Sequence, residues 1–234
     1  MDSHPRHQDP RLDDISTQWT ILQDPAQFAG RYGSAVRNYL ERLLRNRDDA
    51  EEVSQEFLMR VVQHGFARAQ QGRGKFRHYL KVAVRNAALN YLRQRQSQRK
   101  GQAKLTEHVA SAAAAGHDPQ WLGDYRNCLL ESVWLRLRRH QERTPGNLLH
   151  SVLQAAADHP HTDSPTLAAQ VSRQTGQELS AAAFRQQLSR ARRLFAAFLV
   201  EEVSLTVEPS SRPHVDEELA ELGLLSFVEK FLPK

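Results

Sequence analysis

The stretch from Gly72 to Arg93 carries the most constraining pattern in the chain, because its apolar residues keep the i, i+3, i+4, i+7 period of an amphipathic helix. At about 100° per residue, His78, Lys81 and Arg85 fall on the face opposite the apolar stripe. Such a basic face is either solvated or a surface for a polyanion. The stripe consists of Phe76, Tyr79, Leu80, Ala83, Val84, Ala87, Ala88, Tyr91 and Leu92.

Most other apolar segments have the same period, so the sequence predicts an all-α fold. We expect one helix from about Ala26 to Arg45, a second from near Asp48, and a third that ends at about Ser97. Asp48 and Glu51 have the spacing of a capping box, which satisfies free amides at a helix start. No run of alternating β-branched residues is long enough to indicate a sheet.

A second helical unit follows a segment of low periodicity that runs from Gln96 to Gln120. Its apolar period begins near Trp121, and the sequence Thr144-Pro-Gly146 predicts a break between two helices. We therefore interpret the segment before Trp121 as a linker.

The second unit ends in a two-helix pattern. Ser164 followed by Pro165 predicts a helix start, Gly176 a turn, and Ser180 the cap of another helix. A short helix, a glycine turn and a helix with Arg and Gln outward form the layout of a helix-turn-helix, although a plain helical hairpin with a basic face fits as well. The outward residues of the last helix are Arg185, Gln186, Ser189, Arg190 and Arg193.

Charge is distributed unevenly along the chain. Between Arg31 and Lys104, 17 lysines and arginines stand against 6 acidic residues, a local excess of +11 within a net charge of +5. Between Glu201 and Glu221 the counts are 1 and 7, a local excess of −6. A basic excess confined to one segment is typical of a polyanion binder.

The sequence predicts neither a membrane span nor an export signal. No window reaches the roughly 18 apolar residues of a span, and the polar start from Met1 to Arg11 lacks the core of a signal peptide. Cys128 is the single cysteine, which excludes an intramolecular disulfide, and we expect it to be a small buried hydrophobe. We therefore expect a cytoplasmic protein without a cofactor or a metal site.

Three segments, in this order, resemble the sigma-70 family of bacterial RNA polymerase sigma factors, specifically its extracytoplasmic-function group. Residues 48–57 are similar to that family's Asp-Ala-Glu-Asp-(apolar)-x-Gln-Glu-(apolar)-Phe motif. Residues 74–93 are similar to its promoter-melting and −10 recognition helix, and residues 180–193 to the end of its −35 recognition unit. The likeness covers about residues 28–99 and 164–203.

The resemblance implies two helical domains, sigma region 2 and region 4, joined by a flexible linker. It also implies a factor that binds core RNA polymerase, recognises and opens promoter DNA, and performs no chemistry itself, so that no catalytic residue is expected. The implied parts are an N-terminal tail (1–25), a region 2-like domain (26–99), a linker (100–120), a region 4-like domain (121–203, with the helix-turn-helix at about 164–200) and an acidic extension (204–234).

The resemblance also implies the residues that bind each partner. Asp49, Glu52, Gln55 and Glu56 would face the clamp helices of the largest polymerase subunit, and an anti-sigma protein is a further partner that the family admits. Phe76 fits either strand opening or the core. The residues implied in −10 contacts and melting are Lys75, Phe76, Arg77, Tyr79, Lys81, Arg85, Asn86, Asn90 and Arg93, and those in −35 contacts are the outward residues of the last helix.

Three departures from the family pattern affect the promoter contacts. The family's common tryptophan near Tyr79 is absent, and an amide stands at Asn90 where an acid is frequent. Ala182 and Ala183 are small where the family often has polar readers. More of the −35 recognition therefore rests on the outward residues Arg185, Gln186 and Arg190.

The C-terminal extension predicts an acidic amphipathic helix behind Pro213. It either packs as plain structure or covers a polymerase- or DNA-binding face as an internal brake. Its apolar residues are Val215, Leu219, Leu222, Leu225, Phe227, Val228 and Phe231.

Two other functions remain open at this point. A stand-alone helix-turn-helix regulator would use the last two helices alone and would bind a palindromic site as a dimer. A helical nucleotide hydrolase would hold magnesium on Glu51, Glu52 and Glu56, but their last interval is one residue too long to stack three acids on successive turns.

Overall fold

In a computed structural model of the chain, the structure describes residues 25–64, 74–96, 109, 118–208 and 210–232. Helices dominate these ranges, so the all-α prediction is confirmed. The helices are α1 Pro25–Leu44, α2 Arg47–His64, α3 Phe76–Gln96, α4 Pro119–Arg143, α5 Leu149–Asp158, α6 Ser164–Thr175, α7 Ala181–Ser204, α8 Arg212–Glu221 and α9 Leu225–Phe231. Two short strands, β1 Gly74–Lys75 and β2 Val207–Glu208, pair in antiparallel fashion.

The start of α2 differs from the predicted capping box, which was wrong. The side-chain oxygen of Asn46 accepts hydrogen bonds from the backbone N–H groups of Asp48 and Asp49, at 3.0 and 3.1 Å. Asn46 therefore satisfies the amides that a capping residue must satisfy. Asp48 lies inside the first turn, where its carboxylate favours the positive end of the helix dipole.

The turn between α6 and α7 follows the sequence prediction closely. Gly176 has φ of 69°, a left-handed conformation that glycine adopts without steric cost. The hydroxyl of Ser180 accepts a hydrogen bond from the N–H of Ala183 at 3.2 Å and caps α7. Only the start of α6 was misplaced by one residue, because Asp163 occupies the cap position and Ser164 is already helical.

The main hydrophobic core centres on Tyr32, which is fully buried. Its ring stacks on Tyr125 of α4 with centroids 5.6 Å apart, and it lies 5.3 Å from the ring of Phe76 at the start of α3. Offset and tilted aromatic pairs of this kind stabilise a fold by more than the burial of their apolar area alone. Three helices distant in sequence therefore meet at one aromatic cluster.

A smaller core holds α5 and the hairpin of α6 and α7 together. It joins α5, α6 and the beginning of α7, and is separate from the cluster around Tyr32. Its buried residues are Leu148, Val152, Ala155, Leu167, Ala168, Val171 and Phe184.

Polar contacts also join α1 to the second half of the chain. Arg42 pairs with Asp124 of α4 at 2.6 Å, and Arg31 pairs with the buried Glu202 of α7 at 2.9 Å. Helices on both sides of the predicted linker thus share one core and its flanking ion pairs. The linker itself lies largely outside the described residues, and the domain boundaries stay a prediction. Cys128 is buried as expected, 3.2 Å from the hydroxyl of Ser34.

The C-terminal extension forms two helices, so the prediction of a single helix was wrong. They are separated at Gly223, whose φ of 70° ends α8 and turns the chain into α9. Val215, Leu219 and Val228 are buried in the main core, and the extension therefore packs against the rest of the molecule. None of the helices in the described ranges has the length and apolar content needed to cross a membrane.

Replacing Tyr125 with alanine should lower the free energy of unfolding by about 3–5 kcal/mol, because it empties the centre of the aromatic cluster. Chemical denaturation followed by circular dichroism would measure the change. Leu135→Ala on the same helix is the control, since Leu135 is 45% exposed and its loss should cost only about 0.5 kcal/mol. Equal losses for the two variants would contradict this account of the core.

Candidate nucleic-acid interface

The outward side of α3 forms one stripe of solvent-facing residues. Asn86, Asn90 and Arg93 are exposed at successive turns, and Val82 lies one turn before them with 46% of its surface exposed. Amide and guanidinium groups can bond to base edges and phosphates. Three of the residues predicted to contact DNA are thus accessible together, and Val82 extends their stripe.

The start of α3 is covered by α8. The guanidinium of Arg77 makes a bidentate contact with Glu218, with Nε to Oε1 at 2.6 Å and Nη2 to Oε2 at 3.1 Å, and also pairs with Glu221. Lys75 Nζ lies 3.1 Å from Glu217 Oε1 and contacts Glu221 as well. Arg77 and Glu218 are both buried. Two cations predicted to bind DNA therefore face carboxylates in this structure.

The two aromatic residues predicted near strand opening occupy different environments. Phe76 is fully buried against Tyr32, and its backbone N–H donates to the carbonyl of Thr206 at 3.0 Å. This arrangement matches the core alternative that the sequence left open for Phe76. Tyr79 is half-buried, and burial raises the pKa of its hydroxyl. Only Tyr79 of the pair keeps surface from which a base could be reached.

Lys81 and Arg85 lie near Tyr39 of α1, and Lys81 also reaches the residue that caps α4. Lys81 Nζ is 3.2 Å from the carboxylate of Asp118, which also accepts a hydrogen bond from the N–H of Trp121. Burial raises the pKa of Asp118, but the bonds from Trp121 and Lys81 outweigh it, so that pKa lies below its ordinary value. Arg85 is half-buried, and its Nε makes no hydrogen bond within the described residues.

The outward face of α2 carries a second stripe. Glu52, Gln55 and Glu56 are exposed on it, whereas Asp49 is mostly covered. The Tyr91 hydroxyl donates to Asp49 at 2.9 Å and lies 3.0 Å from Glu52. Asp49 also pairs with Arg95, so this carboxylate already joins α2 to α3. Three of the four residues predicted to bind the polymerase remain accessible.

Sequence reasoning missed the apolar continuation of this stripe. Met59 and Val62 are 59% and 51% exposed, the largest values among the exposed large hydrophobic side chains in the described ranges. The signal was available, because Met59 and Val62 follow Gln55 at the i+4 and i+7 positions of the polar stripe.

The outward face of α7 is accessible along its first half. Phe184 and Ala191 are buried on the opposite side, and Gln187 turns inward to accept a hydrogen bond from the N–H of Leu148 at 3.1 Å. The predicted DNA-reading residues are all exposed: Arg185, Gln186, Ser189, Arg190 and Arg193.

The carboxylates of α2 do not converge as a magnesium site requires. Glu51 accepts a hydrogen bond from Gln55, Glu56 pairs with Arg60, and Glu52 faces Tyr91. Within the part of the chain that the structure describes, no group of three histidine, cysteine or acidic residues lies close enough to hold a metal ion.

Acid should loosen α8 from α3. Burial raises the pKa of Glu221, but the hydrogen bond from Lys75 and the charges of Arg77 and Lys75 outweigh it and hold that pKa below its ordinary value of 4.5. A carboxylate with a lowered pKa stabilises the fold above its unfolded pKa, and this contribution is lost as the pH falls through the folded value.

The free energy of unfolding should therefore fall less steeply below about pH 4.5 in Glu221→Gln than in the wild type. Denaturation series between about pH 6 and pH 3 would measure the difference. Glu229→Gln makes the same charge change on α9, away from Lys75 and Arg77, and should keep the wild-type slope. Identical curves for all three proteins would contradict the assignment.

Comparison with known proteins adds a family assignment for the first three helices. No curated protein and no solved structure matches the chain. Residues 28–98 match the family model Sigma-70 region 2, a range that holds most of α1 and all of α2 and α3. This range is therefore similar to region 2 of the sigma-70 family.

Proposed function

We propose that the chain is a sigma factor of the extracytoplasmic-function group, which binds core RNA polymerase in the bacterial cytoplasm and directs promoter recognition, strand opening and transcription initiation. The observation that carries the proposal is the match of residues 28–98 to Sigma-70 region 2, with two different exposed stripes on its second and third helices. The polymerase supplies the catalytic metals, and this chain supplies the binding surfaces.

The outward stripe of α2 suits the polymerase. Glu52 and Glu56 complement a basic helical partner such as the clamp helices of the largest subunit. Met59 and Val62 add exposed apolar area beside these acids, as expected for the centre of a protein interface. A stripe that combines acids with apolar side chains favours a protein partner over DNA.

The outward stripe of α3 suits the −10 element. Asn86 and Asn90 can hydrogen-bond to the edge of an unpaired base, while Arg93 can hold a phosphate. Tyr79 is placed one and a half to two turns before Asn86 and offers a ring for stacking. The mixture of amides, a cation and an aromatic residue matches single-strand recognition.

The second DNA contact is assigned to α7. Its exposed Arg185, Gln186 and Arg190 follow a glycine turn and a short helix, which is the arrangement of a helix-turn-helix whose second helix enters the major groove. We assign this face to the −35 element. Two separate DNA surfaces are expected of a factor that reads two promoter elements.

Reconstitution with core polymerase tests the proposal. The purified chain alone should bind duplex DNA weakly, and addition of core polymerase should produce transcription that starts at specific promoters. A stand-alone helix-turn-helix regulator predicts the reverse, namely tight specific binding without polymerase. Run-off transcription from genomic fragments would measure initiation, and its absence across the genome of origin would refute the proposal.

The double substitution Glu52→Lys/Glu56→Lys should abolish binding to core polymerase, because it places two cations against a basic partner. Met59→Asp should weaken binding by about tenfold, since it charges the apolar part of the same stripe. Affinity chromatography or fluorescence titration with core polymerase would measure both effects.

Matched controls separate this stripe from general effects of charge. Glu131→Lys/Glu142→Lys makes the same charge change on exposed residues of α4, and Leu135→Asp charges an exposed apolar residue there. All variants should keep the thermal stability of the wild type. Retained polymerase binding by Glu52→Lys/Glu56→Lys would remove the assignment of α2 to this partner.

A further inference from the structure

Three carboxylates of α8 contact the two cations at the start of α3 that the proposed function assigns to DNA. Glu217, Glu218 and Glu221 lie within little more than one turn and converge on Lys75 and Arg77. The contact between Arg77 and Glu218 is bidentate, the geometry in which a guanidinium also holds a phosphate. The acidic helix thus satisfies both cations with the chemistry that DNA would offer them.

Two kinds of contact hold α8 in this position. Val215 and Leu219 are buried in the main core, and β2 pairs with β1 so that Val207 faces Lys75 in the ladder. Glu217 and Glu221 form the rim of this contact. Unlike the buried residues, they keep 59% and 43% of their side-chain surface exposed. Ion pairs at such a rim are screened by salt and can exchange for other anions.

The same extension also reaches the helix-turn-helix unit. Phe227 of α9 lies edge-on to Phe195 of α7, with ring centroids 5.9 Å apart, and Arg192 lies 5.6 Å from the ring of Phe231. The extension therefore contacts α3 through α8 and α7 through α9. Its release from α3 would free cations at one DNA surface, while its contact with α7 keeps it attached to the chain.

We propose that α8 is an intramolecular competitor of DNA, whose carboxylates neutralise Lys75 and Arg77 until promoter DNA displaces them. This inference rests on the proposed function, since it concerns regulation of the same −10 surface. The inference requires that the free chain bind DNA more weakly than it would if α8 did not cover Lys75 and Arg77. Lys75 is held at the partly exposed rim of this contact. It is therefore the first cation to be released when the contact between α8 and α3 weakens.

The test uses the full chain with Glu217→Gln/Glu221→Gln, which removes both rim carboxylates and keeps Glu218 on Arg77. Binding to a duplex without promoter sequence would be followed by fluorescence anisotropy at several salt concentrations, without polymerase. We expect affinity about five- to tenfold higher than in the wild type at low salt. The slope of log K against log salt should steepen by about 0.9, the value for one additional phosphate contact.

The matched control is Asp216→Asn/Glu229→Gln. It removes two acids from the same two helices, but Asp216 pairs with Arg212 and neither residue pairs with Lys75 or Arg77. Its salt slope should equal that of the wild type. Adding Lys75→Gln to Glu217→Gln/Glu221→Gln should return the slope to the wild-type value, while Lys75→Gln alone should change it little.

Equal affinities and slopes for Glu217→Gln/Glu221→Gln and its control would overturn the inference. A gain in DNA affinity that persists when Lys75→Gln is added would overturn it as well. Thermal unfolding of each variant would verify that the fold is kept. These outcomes are independent of the proposed function, which stands or falls with promoter-dependent initiation by the wild-type chain and core polymerase. If either the DNA-binding test or the transcription test gives a negative result, the other can still be interpreted.

Discussion

The aromatic contact of Tyr32 with Phe76 and Tyr125 is the constraint on which the other surfaces depend. It brings the first residue of α3 against α1, which is itself stacked on α4, so the direction in which α3 leaves the core is set by ring packing. Close-packed interiors resist displacement because each small shift loses many contacts. The amides of α3 are therefore presented from a rigid support, which the proposed recognition of an extruded base would require.

Local sequence patterns predicted the helices well because helix period, caps and turns are encoded by neighbouring residues. The turn at Gly176 and the cap at Ser180 are of this kind. The exception is also local. The helix α2 begins at Arg47, earlier than predicted, so its first amides belong to Asp48 and Asp49 and Asn46 caps them in place of Asp48. Boundaries of this sort change by one or two residues with little difference in energy.

Tertiary environment was harder to predict, because period alone does not say which element covers a face. Lys75 and Arg77 looked available for DNA, yet α8 covers them from about 140 positions further along the chain. Phe76 fits an apolar stripe and an aromatic binding site equally well in sequence, and only packing distinguishes these roles. The exposed face of α7 was predicted more accurately, since all of its predicted outward residues are exposed, whereas on α2 the side chain of Asp49 is covered by contacts from α3.

The contacts of Asp49 have a consequence for how the two partners of the proposed function would be brought together. Its carboxylate accepts a hydrogen bond from the Tyr91 hydroxyl and forms an ion pair with the Arg95 guanidinium. These contacts join α2 to the C-terminal end of α3. The angle between these two helices is thereby fixed at the end remote from the aromatic cluster. A partner bound to one of these helices would therefore lie at a fixed distance and direction from a partner bound to the other. The two helices together would act as a rigid spacer.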